Sequence, residues 1–301
     1  MGDCPGCGAA GAQPALAKDG YQILHCRACD LRFLAHTPSA DELAELYSDR
    51  YFTEGKTGYP DYIKDERTHR RQARRYLARL GRFHAAPGAL LDVGCAAGFF
   101  LDEARQRGWD VTGCDISEYA RRHAEGVLGL RVVCAPFLEA PLAPSSFDLI
   151  TLFNVLEHLP QPRAVSERLY GLLRPGGRLL IETWDSRSLV ARTLGGKWHQ
   201  YAPPHVLSWH SRRSLDALFA APRWRRIHFE RSAKWISLEH GLTLLAELAR
   251  SRGLAQALGA LGHSRLGSFE VPYYLGDLVL VGFQRDAEAA ASEPLQAALR
   301  Q

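Results

Sequence analysis

Asp92, Gly94, Cys95, Ala96 and Gly98 fall in the string Leu90-Leu91-Asp92-Val93-Gly94-Cys95-Ala96-Ala97-Gly98-Phe99-Phe100, a buried-strand pattern that turns sharply on glycine and enters a helix. Such a turn lets a ligand approach bare backbone at the positive end of a helix. The acid before the turn discriminates among ligands. It repels an anionic pyrophosphate and tolerates or favours a nucleoside that carries positive charge. Dinucleotide spacing fails as well, because G-x-G-x-x-G from Gly94 needs glycines where Ala96 and Phe99 stand. Asp115 ends a second strand pattern, Trp109-Asp110-Val111-Thr112-Gly113-Cys114-Asp115, 17 residues after Gly98. That is close to the spacing of a ribose-binding carboxylate after a glycine turn. Its other reading is a helix N-cap, a role for which Ser117 competes.

Two further segments extend the pattern. Residues 146–159 read as a buried strand running into a loop, and Leu172-Leu173-Arg174-Pro175-Gly176-Gly177-Arg178-Leu179-Leu180-Ile181 as a helix end, a tight turn and a strand. Together these segments resemble the class I S-adenosylmethionine-dependent methyltransferases, in the subgroup that holds the ubiquinone-pathway O-methyltransferases and many natural-product and sugar methyltransferases. The resemblance covers 87–230, with a final strand near 277–284. It implies an α/β fold, a doubly wound, seven-stranded Rossmann-like sheet in the order 3-2-1-4-5-7-6 with the last strand antiparallel. It also implies S-adenosylmethionine held by Asp92, Gly94, Cys95, Ala96, Gly98, Asp115, Ile116, Ala135, Pro136 and the backbone of Asn154. Tyr51 either closes on the methionine end or packs. The chain departs from the family at Ala96, which replaces a glycine. Cys134-Ala135-Pro136-Phe137 lacks the acid many relatives place near the adenine amine, which leaves adenine to backbone groups and Ile116. Asn154-Val155-Leu156-Glu157 lacks the Asn/Asp-Pro-Pro-Tyr motif common in enzymes acting on exocyclic base amines.

Cys4, Cys7, Cys26 and Cys29 give C-x2-C-x18-C-x2-C, a zinc spacing in which each pair bends a tight turn around one ion. Four thiolates leave no open coordination position, so the expected zinc is structural and supplies folding energy to a segment too short to build much core. His25 is either a fifth candidate ligand or an ordinary polar neighbour.

Methyl transfer to a hydroxyl or a carbon acid also needs a proton removed, and histidine suits that near neutrality. His158 ranks first because it follows the fourth strand directly, where the resemblance implies that the methyl points. The step Glu157-His158-Leu159 also reads as a helix-capping turn. Glu157 either orients an imidazole or is solvated. His205, His199 and Tyr201 follow, from a stretch rich in rings that includes Trp184, Trp198 and Trp209. Aromatic loops at the carboxyl ends of parallel strands line the crevice of open α/β sheets; the alternative is an aromatic minicore.

The organisation expected is a zinc ribbon over 1–36, a helical linker or lid over 37–86, the methyltransferase domain over 87–285 and a tail over 286–301. Within the domain lie an aromatic substrate loop at 184–210 and a helical insertion at 236–275. Ser39 is expected to cap a helix. Arg67, Arg70, Arg71, Arg74, Arg75, Arg79 and Arg82 crowd one helix, read as a solvated basic face or as a dock for a phosphorylated substrate, carrier or RNA. The leucines of 236–262 form a packed cover, a substrate roof, a dimer face or a membrane-surface helix. A net charge of +4 in 301 residues is too small to argue for nucleic acid. No apolar run is long enough to span a bilayer and no signal sequence is visible. Apolar-flanked Cys95, Cys114 and Cys134 suit a reducing cytoplasm. The expected activity is methyl transfer to an oxygen or carbon of a small or carrier-bound metabolite, with oligomeric state open. The rivals are an RNA or protein methyltransferase docking through the ribbon and arginine helix, and a binding module without turnover.

Overall fold

Leu90, Leu91, Leu149, Ile150, Leu152, Ile181 and Leu280 are essentially inaccessible, and all lie on strands covered on both faces. Continuous apolar runs of this kind are what a parallel sheet between two helical layers requires. In the computed structural model, which describes residues 3–47, 62–81, 86–248, 251–262, 264 and 269–287, the chain begins with β1 (Gln13–Lys18), β2 (Tyr21–His25) and β3 (Arg32–Leu34), followed by α1 (Ala40–Leu46) and α2 (Glu66–Leu80). The central unit then runs β4 (Ala89–Val93), α3 (Phe99–Arg105), β5 (Asp110–Asp115), α4 (Glu118–Gly126), β6 (Val132–Cys134), β7 (Phe147–Phe153), a 3-10 turn (Leu156–His158), α5 (Pro162–Leu172) and β8 (Leu173–Trp184). The remainder is α6 (Leu189–Leu194), β9 (Ser208–Trp209), α7 (Arg212–Leu218), β10 (Trp224–Arg231), β11 (Lys234–Ser237), α8 (Leu238–Leu248), α9 (Arg252–Gly262), β12 (Glu270–Tyr273) and β13 (Leu278–Arg285).

Seven strands form one sheet in the order β10-β13-β8-β7-β4-β5-β6. Numbered along the central domain and read from the other edge, this is the expected 3-2-1-4-5-7-6. β4 pairs in parallel with β5 and β7, and β7 with β8, whereas β13 runs antiparallel to β8 and β10. The strand order therefore reverses direction beside β4, so the carboxyl ends of β4, β5 and β7 open a crevice there. Pro175, Gly176 and Gly177 fold into the start of β8, where its register with β7 shifts between Phe147 and Leu149.

Local chemistry sets several helix starts. Ser39 caps α1 with a reciprocal box: its Oγ accepts from Glu42 N at 3.2 Å and Glu42 Oε2 accepts from Ser39 N at 2.7 Å. Ser117 caps α4 by accepting from Ala120 N at 3.3 Å.

The arginines of α2 do not form a simply solvated face. Arg70 donates to Glu66 and to Asp102 of α3 at 2.6 and 2.7 Å, and Arg74 grips Glu103 at 2.9 Å. Arg79 pairs with Glu230 of β10 at 2.7 Å, and Arg71 with Glu270 of β12 at 2.5 Å. The positive face is largely consumed in holding α2 against the domain, while Ala73, Tyr76, Leu77 and Leu80 bury its apolar stripe. Arg82 lies outside the described residues.

The ribbon continues into the domain. β3 pairs with β9, setting Arg32 opposite Trp209 and Phe33 opposite Ser208, so a four-stranded sheet β1-β2-β3-β9 joins the N-terminus to the aromatic loop. Asp30 accepts from Arg187 Nε at 2.8 Å, and Arg213 donates to the Ala28 carbonyl at 2.6 Å. Ile23 and Leu34 share one apolar cluster with Trp184, Trp198, Trp209 and Leu278. The segment 236–275 holds two helices, but β11 and β12 flank them as a two-stranded sheet, with Lys234 opposite Tyr273. Leu242 is buried there, while Leu245, Leu254 and Leu261 are exposed. No described helix is long and apolar enough to cross a membrane. Residues 288–301 lie outside the description.

Candidate active site

Gly94 sits just past β4 at φ +71°, and a Cβ added there would lie 2.3 Å from Val155 Cγ2. Glycine is required twice over, by conformation and by the approach of the loop after β7. Gly98 is the left-handed cap of α3 at φ +85°; its missing Cβ admits Leu130 and Ala124, so it shapes packing behind the turn and does not face the cleft. Ala96 holds φ +45°. Its N–H donates to Asp115 Oδ2 at 2.8 Å, and Ser117 N donates to Asp115 Oδ1 at 2.8 Å. Asp115 thus fastens the turn to the start of α4 and lines the cleft at the same time. Asp92 is 4% exposed and accepts from Thr151 Oγ1 at 2.6 Å. Burial, aided by the charge of Asp115, pushes Asp92 up to about 7, and burial raises Asp115 too. Two desolvated carboxylates beside one turn form an environment that a cation relieves.

The cleft has a volume of about 1930 Å³, against roughly 300–1,000 Å³ for a pocket that takes one drug-sized ligand. Asp92, Gly94, Cys95, Ala96, Asp115, Ile116, Ala135, Pro136 and Asn154 line it together with His158, His199 and His205. Tyr51 lies outside the described residues.

His158 follows the end of β7 in the 3-10 turn. Its Nδ1 lies 2.7 Å from the His205 carbonyl, to which Tyr47 OH also donates at 3.2 Å. A carbonyl only accepts, so Nδ1 carries the proton and Nε2 keeps its lone pair. Burial holds the His158 pKa below the usual imidazole value, so the ring is neutral near pH 7. His205 contributes its carbonyl to that bond, and its ring lies edge-on to Tyr47 at 6.3 Å. His199 lies 5.4 Å from the Trp184 ring and its Nε2 is 3.5 Å from Tyr273 OH.

Two expectations are corrected. Tyr201 is 2% exposed and does not line the cleft; it packs between Trp198 and Trp209 while Arg32 donates to its hydroxyl. Its role is to join the ribbon to the loop, which removes it from the candidate bases. Glu157 neither orients an imidazole nor is solvated. It is buried, accepts from Thr183 Oγ1 at 2.8 Å, and is pushed up to about 7 by burial.

Two groups at the cleft escaped the sequence reading. Glu182 on β8 is fully buried beneath it and accepts from Tyr76, from Ser232 Oγ at 2.6 Å and from Asn154 Nδ2 at 3.1 Å. It holds Asn154 in its φ +56° conformation, aided by the Asn154 N–H bond to the Glu182 carbonyl at 2.8 Å. The signal was a lone acid inside Leu179-Leu180-Ile181-Glu182-Thr183. Lys234 is the second, a lone cation in Ala233-Lys234-Trp235-Ile236 that lines the cleft with its ammonium 4.6 Å from the Trp184 ring centre.

The cysteine Sγ atoms converge at the other end of the ribbon, with Cys4 and Cys29 3.6 Å apart and Cys7 and Cys26 3.7 Å apart. These separations are too long for disulfides. His25 stands apart from the cluster, with Nε2 2.8 Å from Asp30 Oδ1.

A family model described as a methyltransferase domain matches residues 65–222, more than half of the chain. The ubiquinone biosynthesis O-methyltransferase of Idiomarina loihiensis is 35% identical over 126 residues, covering 40% of this chain and 50% of that protein. The mitochondrial enzyme of the same name from Schizosaccharomyces pombe is 37% identical over 112 residues, covering 35% and 40%. The chain thus spans about half the length of these curated relatives. A crystal structure of a candidate methyltransferase from Bacillus halodurans superposes with a TM-score of 0.51 at 14% identity, over 69% of this chain and 97% of that one, a likeness of fold. On the match across α2 to α7, the chain belongs to the methyltransferase domain family.

Proposed function

We propose that this protein transfers the methyl group of S-adenosylmethionine to an oxygen, or to an acidic carbon, of a small or carrier-borne acceptor. The observation that carries the reading is one cleft that joins a glycine turn between two buried carboxylates to a neutral imidazole with a free Nε2. The residues fit this donor. Asp92 and Asp115 favour its positive charge, Gly94 leaves its backbone bare, and the buried Asn154 Oδ1 accepts no bond among the described residues. Ile116, Ala135 and Pro136 offer an apolar wall to the base.

S-adenosylmethionine supplies a methyl already activated on a sulfonium. The chain's task is alignment and proton removal. His158 Nε2 takes the acceptor's proton, and the His205 carbonyl on Nδ1 stabilises the imidazolium as it forms. The rings of Tyr47, Trp184 and Tyr273 help to exclude water. The names of the curated relatives favour oxygen as the acceptor atom. The cysteine cluster fits one structural zinc ion. A tetrahedron with Zn–S bonds of ~2.3 Å has edges of ~3.8 Å, close to the 3.6 and 3.7 Å separations.

Incubation with methyl-labelled donor and fractionated cell extract tests the reading, with label expected in an O-methylated small molecule. His158→Ala is expected to keep donor affinity and lower transfer by about 100-fold or more. Full activity of that variant across pH removes His158 from the reaction. Donor binding without label in any fraction favours a module that lacks turnover.

A further inference from the structure

Lys234 is a charged group for which neither the donor site nor His158 accounts. It opens β11 and reaches the cleft beside Trp184 at 4.6 Å and Tyr273 at 5.9 Å, measured to the ring centres. Among the described residues it forms no ion pair or hydrogen bond. The acids that attract it are Glu182, Asp277 and Glu157, and each is engaged elsewhere. Glu182 serves Tyr76, Ser232 and Asn154. Asp277 accepts from Trp198 Nε1 at 3.0 Å and from Tyr273 OH at 3.1 Å, and Glu157 accepts from Thr183. The ammonium of this half-buried residue therefore reaches the cleft without a protein acceptor among the described residues.

The surroundings define what would fit. Burial, reinforced by Lys234, lowers His199 to about 3 and His240 to about 4, so both rings line the cleft as neutral hydrogen-bonding groups. Arg71, stacked 3.7 Å from the centre of the neighbouring Trp235 ring, is already paired with Glu270. Lys64, Arg67 and Arg71, at and just before the start of α2, also line the cleft, but the cation stacked on Trp184 and Tyr273 is the single ammonium of Lys234 among neutral rings, which suits a singly charged planar oxyanion. The sheet order sets β7 between β4 and β8. An acceptor anchored beside Trp184 at the end of β8 thus reaches back toward His158, with the donor turn beyond it.

We infer that Lys234 anchors an acceptor subsite for a carboxylate, walled by Trp184, Tyr273 and His199. The inference rests on the methyl-transfer reading and narrows the acceptor to molecules that carry such a group. The test uses the 301-residue chain saturated with S-adenosylhomocysteine and follows tryptophan fluorescence during titration with benzoate, its neutral amide benzamide, and inorganic phosphate. Benzoate is expected to bind at least ten-fold more tightly than benzamide or phosphate. Lys234→Gln should erase that advantage and Lys234→Arg should keep most of it, with S-adenosylhomocysteine affinity changing less than two-fold in both. Equal binding of benzoate and benzamide overturns the subsite, as does an unchanged benzoate advantage in Lys234→Gln or tighter binding of phosphate. Loss of benzoate binding in both variants would show that fold, not charge, is at stake and would also overturn it. Calorimetry with S-adenosylhomocysteine alone reports separately on the donor site, so failure of the subsite is distinguishable from failure of the methyl-transfer reading.

Discussion

On the β4–β5 side of the cleft, Asp92, Gly94, Ala96 and Asp115 come from two adjacent parallel strands and the turn between them. On the β8 side, Trp184, His199, Lys234 and Tyr273 come from separate elements spread between residues 184 and 273. The first side is made by backbone geometry: a positive φ, a close approach that excludes a Cβ, and two backbone N–H bonds to one carboxylate. The second is made by long-range pairing. β9 leans on the ribbon strand β3, Arg187 reaches Asp30, Arg32 reaches Tyr201, and Lys234 depends on the pairing of β11 with β12. One fold can therefore keep the donor side while the acceptor side is rebuilt around other substrates. The ribbon packs directly against the segment that carries Trp184 and His199.

Removal of the metal should give the largest separation of the two sides. Stripping zinc with a chelator, or Cys26→Ser, is expected to unfold the ribbon, because a segment of this size depends on its ion. Hydrogen exchange should then show lost protection at β3, β9 and 198–210 while β4 and β5 keep theirs. Equal loss on both sides would break the comparison. Gly94→Val attacks the opposite side. With φ +71° and Val155 in the way, it should cost more than about 4 kcal/mol in chemical denaturation and abolish donor binding. A near-neutral result would mean that the turn is not held as described.

Asp92→Asn sharpens the electrostatic part. Asp92 titrates near 7 in the folded chain, against a reference of 3.8. Between those values the folded chain holds a proton that the unfolded chain has released, so this site's contribution to stability is lost as pH rises from about 4 to 7. The variant lacks that loss. Its stability relative to the parent should climb by about 3 kcal/mol across the window, while affinity for S-adenosylmethionine falls. A difference that stays flat with pH contradicts the assignment. Tyr201→Phe is the smallest effect: about 1 kcal/mol of stability from the lost bond to Arg32, with transfer at the parent rate. A large drop in turnover at constant stability would return Tyr201 to the list of bases.

The donor side was legible in sequence because it is local. Asp92, Gly94 and Asp115 announce themselves through one strand-turn-helix and one acid at a fixed distance, and the strand order followed from the family those motifs resemble. The cysteine spacing was equally direct. The acceptor side was not legible. β9 has two residues and β11 four, too short to show alternation, and their partners lie far away in the chain. Tyr201 looked like a site residue because rings in a loop carry no mark of which way they face. The arginines of α2 looked like a free surface because their acids, Asp102, Glu103, Glu230 and Glu270, sit on other elements. Glu182 and Lys234 did leave a trace, each a lone charge in an apolar run, which is costly unless something answers it.

The proposed function stands or falls on the turn at 92–98, with Asp115, holding a positively charged thioether nucleoside. Isothermal titration calorimetry of the zinc-loaded 301-residue chain tests this most directly, with S-adenosylmethionine, S-adenosylhomocysteine and a nicotinamide dinucleotide as titrants. One site per chain is expected for the first two, with no heat from the third and loss of both signals in Gly94→Val. No binding of either thioether nucleoside, together with uptake of the dinucleotide, would contradict it.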